Sequence, residues 1–393
     1  MKQNTTYKQT ELGLIPEDWE VKKLGECSSI SGDYGINAPA VKFSEDLPTY
    51  LRITDIDDDG NYSKENKVSV KDDNSESFIL DDEDIVFART GATVGKTYLH
   101  NKKENGDLVF AGFLIRFRTN FDILLPYYLK LYTNTDKYWN WVSVFSMRSG
   151  QPGINSKEYS NLKIPLPPLA EQKKIADCLS TWDSAIEKQN ALINALTDRK
   201  KALMQQLLTG KKRLPGFSDE WKEVKLGEIS IKKSSTLQAN SLEENNGEFK
   251  VYGASGIVAN IDFYNESEEY IGIVKDGSGV GNLMLCDAKS SVLGTLDIIK
   301  NNKKSNLFFI YLILSKIHFE KYKVGGAIPH IYYRDYSREK INIPSLSEQT
   351  AIAEILATAD RELQLQKEKL AQLQTQKKGL MQVLLTGKKR LIN

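Results

Sequence analysis

Cysteine, histidine and surplus charge are all scarce in this chain of 393 residues, and each shortage removes a class of function. Cys27, Cys178 and Cys286 lie far apart, so they form neither a disulfide framework nor a paired-cysteine zinc site, and a reducing cytoplasm is the expected compartment. His100, His318 and His330 are scattered, and no H-E-x-x-H or triad-like cluster accompanies them. No catalytic residue and no metal ligand is therefore expected. No stretch approaches the ~20 apolar residues needed to cross a bilayer, and 1–10 lacks the apolar core of a signal peptide.

A net charge of +1 gives no broad attraction to nucleic acid, but the charge is unevenly spread. Residues 1–165 carry 20 Lys+Arg against 25 Asp+Glu, and 215–342 carry 16 against 17. The segments 166–214 and 343–393 are basic, with 9 against 5 and 8 against 5. The acidic runs Asp55, Asp57, Asp58, Asp59 and Asp81, Asp82, Glu83, Asp84 must point away from any phosphate, so a DNA-facing surface has to be a local stripe.

The sequence repeats itself. Residues 166–214 align without a gap to 343–391 at an offset of 177, and Leu207-Leu208-Thr209-Gly210-Lys211-Lys212-Arg213-Leu214 recurs unchanged at 384–391. Both copies carry a 4-3-4-3 apolar spacing. The first runs through Ile175, Leu179, Trp182, Ile186, Gln189, Ile193, Leu196, Lys200, Leu203 and Leu207. The second runs through Ile352, Leu356, Ala359, Leu363, Gln366, Leu370, Leu373, Lys377, Leu380 and Leu384. This heptad seam predicts two long helices in a coiled coil, with the polar seam residues fixing register. Proline precedes each helix, and Thr-Gly followed by Lys-Lys-Arg ends it. About 39 helical residues at ~1.5 Å each give a rod of roughly 58 Å. The basic ends could touch phosphate or complement the helix ends.

Weaker echoes link the segments between. Pro152, Ile154, Tyr159 and Ile164 match Pro329, Ile331, Tyr336 and Ile341, and Trp19 with Leu24-Gly25-Glu26 resembles Trp221 with Leu226-Gly227-Glu228. Arg89-Thr90-Gly91-Ala92-Thr93-Val94-Gly95 sits beside Lys275-Asp276-Gly277-Ser278-Gly279-Val280-Gly281. The expected organisation is a mixed α/β (α+β) domain at 1–165, a helix at 166–213, a second such domain at 214–342 and a second helix at 343–393. The helices are expected to lie antiparallel, with pseudo-twofold, cyclic symmetry and the termini close together. Strands are expected at 50–53, 84–88, 108–118, 270–274 and 296–299, and helices at 126–133 and 307–316.

The layout resembles the specificity subunit of type I restriction–modification systems. The resemblance is carried by Leu12-Gly13-Leu14-Ile15-Pro16 with Trp19, by Tyr50-Leu51-Arg52 with Asp55-Ile56, by Pro165-Leu166-Pro167-Pro168-Leu169 with Glu171-Gln172 and Ile175-Ala176, and by Lys201 with Leu203-Met204-Gln205 and Leu207-Leu208-Thr209-Gly210. The last two elements recur in the second half, and the similarity covers essentially the whole chain. It implies a non-catalytic subunit in which two target-recognition domains each read one half of a bipartite, asymmetric DNA sequence. It also implies that the two helices space these domains and dock two modification (methyltransferase) subunits, with restriction (endonuclease/translocase) subunits joining. S-adenosylmethionine, ATP and magnesium would serve those partners, and this chain would hold no cofactor. The second domain is shorter and keeps only part of the 50–56 element.

Some motifs are decoys. Gly91 to Thr97 is one residue short of a phosphate loop, and Gly277 to Gly281 misses the dinucleotide-binding fingerprint. Pro167-Pro168 lacks the flanking residues of an amino-methyltransferase motif. An enzyme acting on DNA alone, or a protein-binding scaffold, are the competing readings. Candidate DNA contacts come from loops carrying Arg, Lys, Ser, Gln and aromatic groups: Arg89, Thr90, Lys96, Arg148, Ser149 and Gln151 in the first domain, and Lys275, Ser278, Asn282, Lys323, His330, Tyr332 and Arg334 in the second.

Overall fold

A computed structural model describes residues 6–242 and 247–391. The chain divides into two compact units, Met1–Lys188 with Leu370–Asn393, and Gln189–Lys369.

Both units are built on the same antiparallel sheet. In the first, β1 (Ser28–Tyr34), β2 (Ile85–Ala88), β3 (Thr97–Leu99) and β4 (Leu114–Thr119) lie in the order β1-β4-β2-β3. The long helix α1 (Leu169–Leu207) follows. In the second unit β5 (Ser230–Ser234), β6 (Tyr270–Val274), β7 (Leu283–Cys286) and β8 (Leu296–Asn301) lie in the order β5-β8-β6-β7, and α2 (Leu346–Leu384) ends the fold. The inner strands β2 and β6 are buried at every residue. A strand covered on both faces needs a continuous apolar run, and Ile-Val-Phe-Ala and Tyr-Ile-Gly-Ile-Val supply one.

The run 108–118 is not one strand. Leu108–Phe110 pairs in parallel with Thr49–Leu51 in a second sheet, and β4 begins only at Leu114. The chain turns at Ala111–Gly112, where a Cβ on Gly112 would stand 3.3 Å from the Ile36 carbonyl oxygen. The short helices fall where the spacing puts them, at Pro126–Tyr132 and Leu307–Leu314. Proline opens the former, and the Asn306 side chain caps the latter by accepting from the Phe309 N–H.

α1 and α2 are 39 residues each. Each unit takes a stretch of both helices. In the first unit Ile175, Leu179, Leu384 and Leu385 enter a core with Trp19 and Tyr128, and in the second Leu207, Leu208, Ile352 and Leu356 enter one with Leu226 and Phe309. Burying each such side chain contributes roughly 1.5–3 kcal/mol, so the helix ends are built into the cores. None of the heptad positions is exposed, whereas most residues between them are.

Polar seam residues find partners across the helix pair. In the second unit the Gln189 side chain donates to the Gln366 side-chain oxygen at 2.8 Å and to its carbonyl at 3.1 Å, and Lys200 pairs with Asp360. In the first unit Lys377 pairs with Asp183, which also accepts from the Tyr127 hydroxyl. Lys200 and Lys377 are equivalent in the repeat, as are Asp360 and Asp183. The same ion pair therefore recurs in the same antiparallel register in each unit.

Candidate nucleic-acid interface

The echo between Arg89–Gly95 and Lys275–Gly281 is one turn built twice. In the first unit the N–H of Val94 donates to Gly91, that of Gly95 to Ala88, that of Lys96 to Thr93, and that of Ala88 to Lys96. In the second, Val280 donates to Gly277, Gly281 to Val274, Asn282 to Gly279, and Val274 to Asn282. Gly91 and Gly277 have φ of +70° and +95°, and Gly95 and Gly281 have +91° and +89°, a region that glycine enters without strain. Close approach adds to the requirement: a Cβ on Gly95 would lie 2.7 Å from Val142, and one on Gly281 would lie 2.8 Å from Phe319. The N–H groups of Gly91, Val94, Gly95 and Lys96 all donate to carbonyl oxygens, so they are not available to cradle a phosphate.

A second loop is stitched to each turn in the same way. Gly91 donates to Pro152 at 3.0 Å and Ile154 to Arg89 at 2.9 Å; Gly277 donates to Pro329 at 2.9 Å and Ile331 to Lys275 at 3.0 Å. Loop 146–153 is thus held beside the Arg89 turn, and loop 323–330 beside the Lys275 turn. Two groups of candidates separated by some fifty residues in sequence come together in each unit.

The side chains on this common frame differ. In the first unit the Arg89 guanidinium lies over the Tyr34 ring at 4.8 Å, Thr90 is half-buried, and the Gln151 amide lies beside Gly91. Ser149 and Gln151 are exposed. Lys96 is bound to Asp58 at 2.7 Å, and Arg148 meets both oxygens of Glu158 at 2.6 Å. In the second unit Ser278 and Asn282 are exposed, Lys275 stands 3.5 Å from Asp297, and Lys323 pairs with Glu320 at 2.5 Å. His330 meets Tyr332 edge to face, and Arg334 lies over the Tyr332 ring at 4.9 Å. Arg52, by contrast, is an internal support, bound by two nitrogens to the buried Asp55 carboxylate.

The helix ends carry structural groups that the sequence reading left open. Arg390 donates to both oxygens of the buried Glu171 at 2.6 Å and to Asp18 at 2.8 Å, over the Trp19 ring. Its hydrogen bonds hold the Asp18 carboxyl below the usual carboxylate range, and Glu171 and Asp18 together raise the guanidinium itself. Arg213 repeats the arrangement on Glu348 at 2.8 Å, over Trp221. These arginines therefore neutralise a carboxylate in the first turn of the neighbouring helix. Gln172 and Gln349 are equally structural: each accepts from a backbone N–H, of Leu125 and Asn306, and donates to the proline carbonyl before its helix. The signal for both pairs was their identity in the two repeats.

Among the described residues no group of three or more His, Cys, Asp or Glu is placed to hold a metal ion, and no helix is long and apolar enough to cross a membrane.

Comparison with known proteins gives one consistent result. The model of the type I restriction modification DNA specificity domain matches residues 16–198 and 218–375. Two relatives from Methanocaldococcus jannaschii align over nearly their full length. One, named for the MjaX specificity subunit of a type I restriction enzyme, is 30% identical over 98% of this chain and 97% of its own. The other, the type I restriction enzyme MjaVIII specificity subunit, is 28% identical over 96% and 95%. The fold is similar to that of the type I restriction–modification S subunit from M. genitalium, with a TM-score of 0.65 at 16% identity over 98% of this chain and 97% of that one.

Proposed function

Because the chain belongs to the type I restriction–modification DNA specificity family, whose members are the non-catalytic, DNA-specifying subunits of their complexes, we propose that its two units read the two halves of a bipartite, asymmetric DNA target. The target-recognition domains are 1–165 and 214–342. The helical segments 166–213 and 343–393 space them and dock two methyltransferase subunits, to which restriction subunits add. S-adenosylmethionine, ATP and magnesium belong to those partners.

One observation carries this reading: the frame is duplicated while its lettering is not. At equivalent points of the turn the first unit has Arg89, Thr90, Ala92 and Lys96, and the second has Lys275, Asp276, Ser278 and Asn282. A backbone that holds side chains in one geometry while their donors and acceptors change is suited to reading different base edges. Phosphate contacts would come from cations at the rims of both loops, and would position the protein without specifying sequence.

The test is a footprint of the assembled complex on DNA. Two protected blocks of unlike sequence, separated by an unprotected spacer of constant length, are expected. A single continuous block, or two identical blocks, would contradict the reading.

A further inference from the structure

Each loop beside the paired turns carries an apolar side chain where a solvated loop has no use for one. Met147 and Ile328 are the two most solvent-exposed large hydrophobic residues described, at 69% and 66%. Val324, which stands at the position equivalent to Met147, is 44% exposed. The loops are glycine-bearing and held at their bases. Gly153 donates to Ser146 in the first, and Val324 and His330 exchange both backbone hydrogen bonds in the second, with Gly325 at φ +90°. Cationic and polar groups lie on or next to the same loops and turns: Arg89, Arg148 and Gln151 in one unit, Lys275, His330 and Arg334 in the other. Phe113, 55% exposed, sits at the foot of the first, its carbonyl accepting from the Arg89 N–H.

Resting on the reading above, we propose that Met147 in the first unit, and Ile328 with Val324 in the second, are wedges that enter a base step of the DNA half-site read by their own unit. An apolar tip gains nothing from phosphate or from water. On duplex DNA the large apolar surfaces are the faces of the stacked bases, and apolar side chains such as Met, Ile and Leu are what proteins insert there. Arg89 in one unit and Arg334 in the other would meet the backbone beside the step, and the stitched base of the loop holds the tip still while the stack opens. The consequence is specificity for easily unstacked steps, such as pyrimidine–purine, at a position where no hydrogen bond reads the base.

The probe is a set of duplexes carrying the target, once its sequence is mapped, with 2-aminopurine replacing single adenines. The methylated position is left unsubstituted, and S-adenosylmethionine is omitted. The assembled wild-type complex is expected to raise fluorescence several-fold at one step in each half-site. Met147→Ala should abolish the rise in one half-site only and weaken binding about tenfold; Ile328→Ala should do the same in the other. Met147→Leu, which keeps an apolar tip of similar volume, should restore the signal. A wild-type complex that binds the target with no bright position overturns the proposal, as does a signal that survives in both alanine variants. Normal DNA binding with failed assembly of the alanine variants would also overturn it, by making the tips protein contacts. Failure of the wild-type complex to bind the mapped target at all would instead sink the reading on which the proposal rests.

Discussion

At the scale of single residues, the charges that matter most to folding are those buried at the helix feet. Arg390 is 7% exposed and Glu171 is 3% exposed, so removing the arginine strands a carboxylate in the core of the first unit. Arg390→Met is expected to destabilise that unit by about 3–5 kcal/mol, and Glu171→Gln combined with it to cost less than the sum; denaturant titration of the double-mutant cycle checks this. Lys130 gives a second test. It is buried, donates to the carbonyls of Gly60 and Thr97, and burial pushes its ammonium down to about 8. The unfolded chain, with an ordinary lysine near 10.4, binds more protons between those values, so this group makes stability rise with pH above about 8. Lys130→Met should flatten that rise in stability measured from pH 7 to 10, and an unchanged slope would refute it. Residues of this kind were hardly legible in the sequence. Arg89 and Lys275 stood out because a glycine pattern flanked them, but nothing local announces that Lys96 will meet Asp58, or Arg148 meet Glu158, because such pairs are made by tertiary packing.

At the scale of elements, period was the dependable guide. A 4-3 spacing sustained over ten positions leaves a helix little alternative, and both helices have the length it implies. The run 108–118 misled because Ala111 and Gly112 break an apolar stretch without changing its hydropathy, so two strands of two sheets looked like one. Leu363, 8% exposed on the seam, illustrates what the helix pair tolerates. Leu363→Lys loses its apolar burial and forces an ammonium against the partner helix, an expected loss of about 2–3 kcal/mol seen as a lower melting temperature. The Lys200–Asp360 pair is half-exposed and should matter for register more than for stability. Lys200→Asp is expected to cost only about 1 kcal/mol, with the reciprocal exchange Lys200→Asp/Asp360→Lys recovering it. A double variant no more stable than the single would remove the pair from the register argument.

At the scale of the whole molecule, duplication was the legible feature. The 177-residue offset, read from letters alone, reappears as the same glutamine anchors and the same arginine–glutamate pair in each unit, and the weaker echoes at other offsets reappear as the same strand order and the same turn. What it left illegible is the chemistry that differs between the copies, because a shared backbone says nothing about which base edge a Thr90 or an Asp276 would meet. Recognition of a bipartite target therefore requires that the two readers act independently. The most direct measurement is to sequence the methylated sites in cells expressing the full complex, before and after residues 20–160 are exchanged for those of a relative with a different target. One half of the recognised sequence should change while the other half and the spacing stay the same. A change in both halves, or in neither, would contradict that independence.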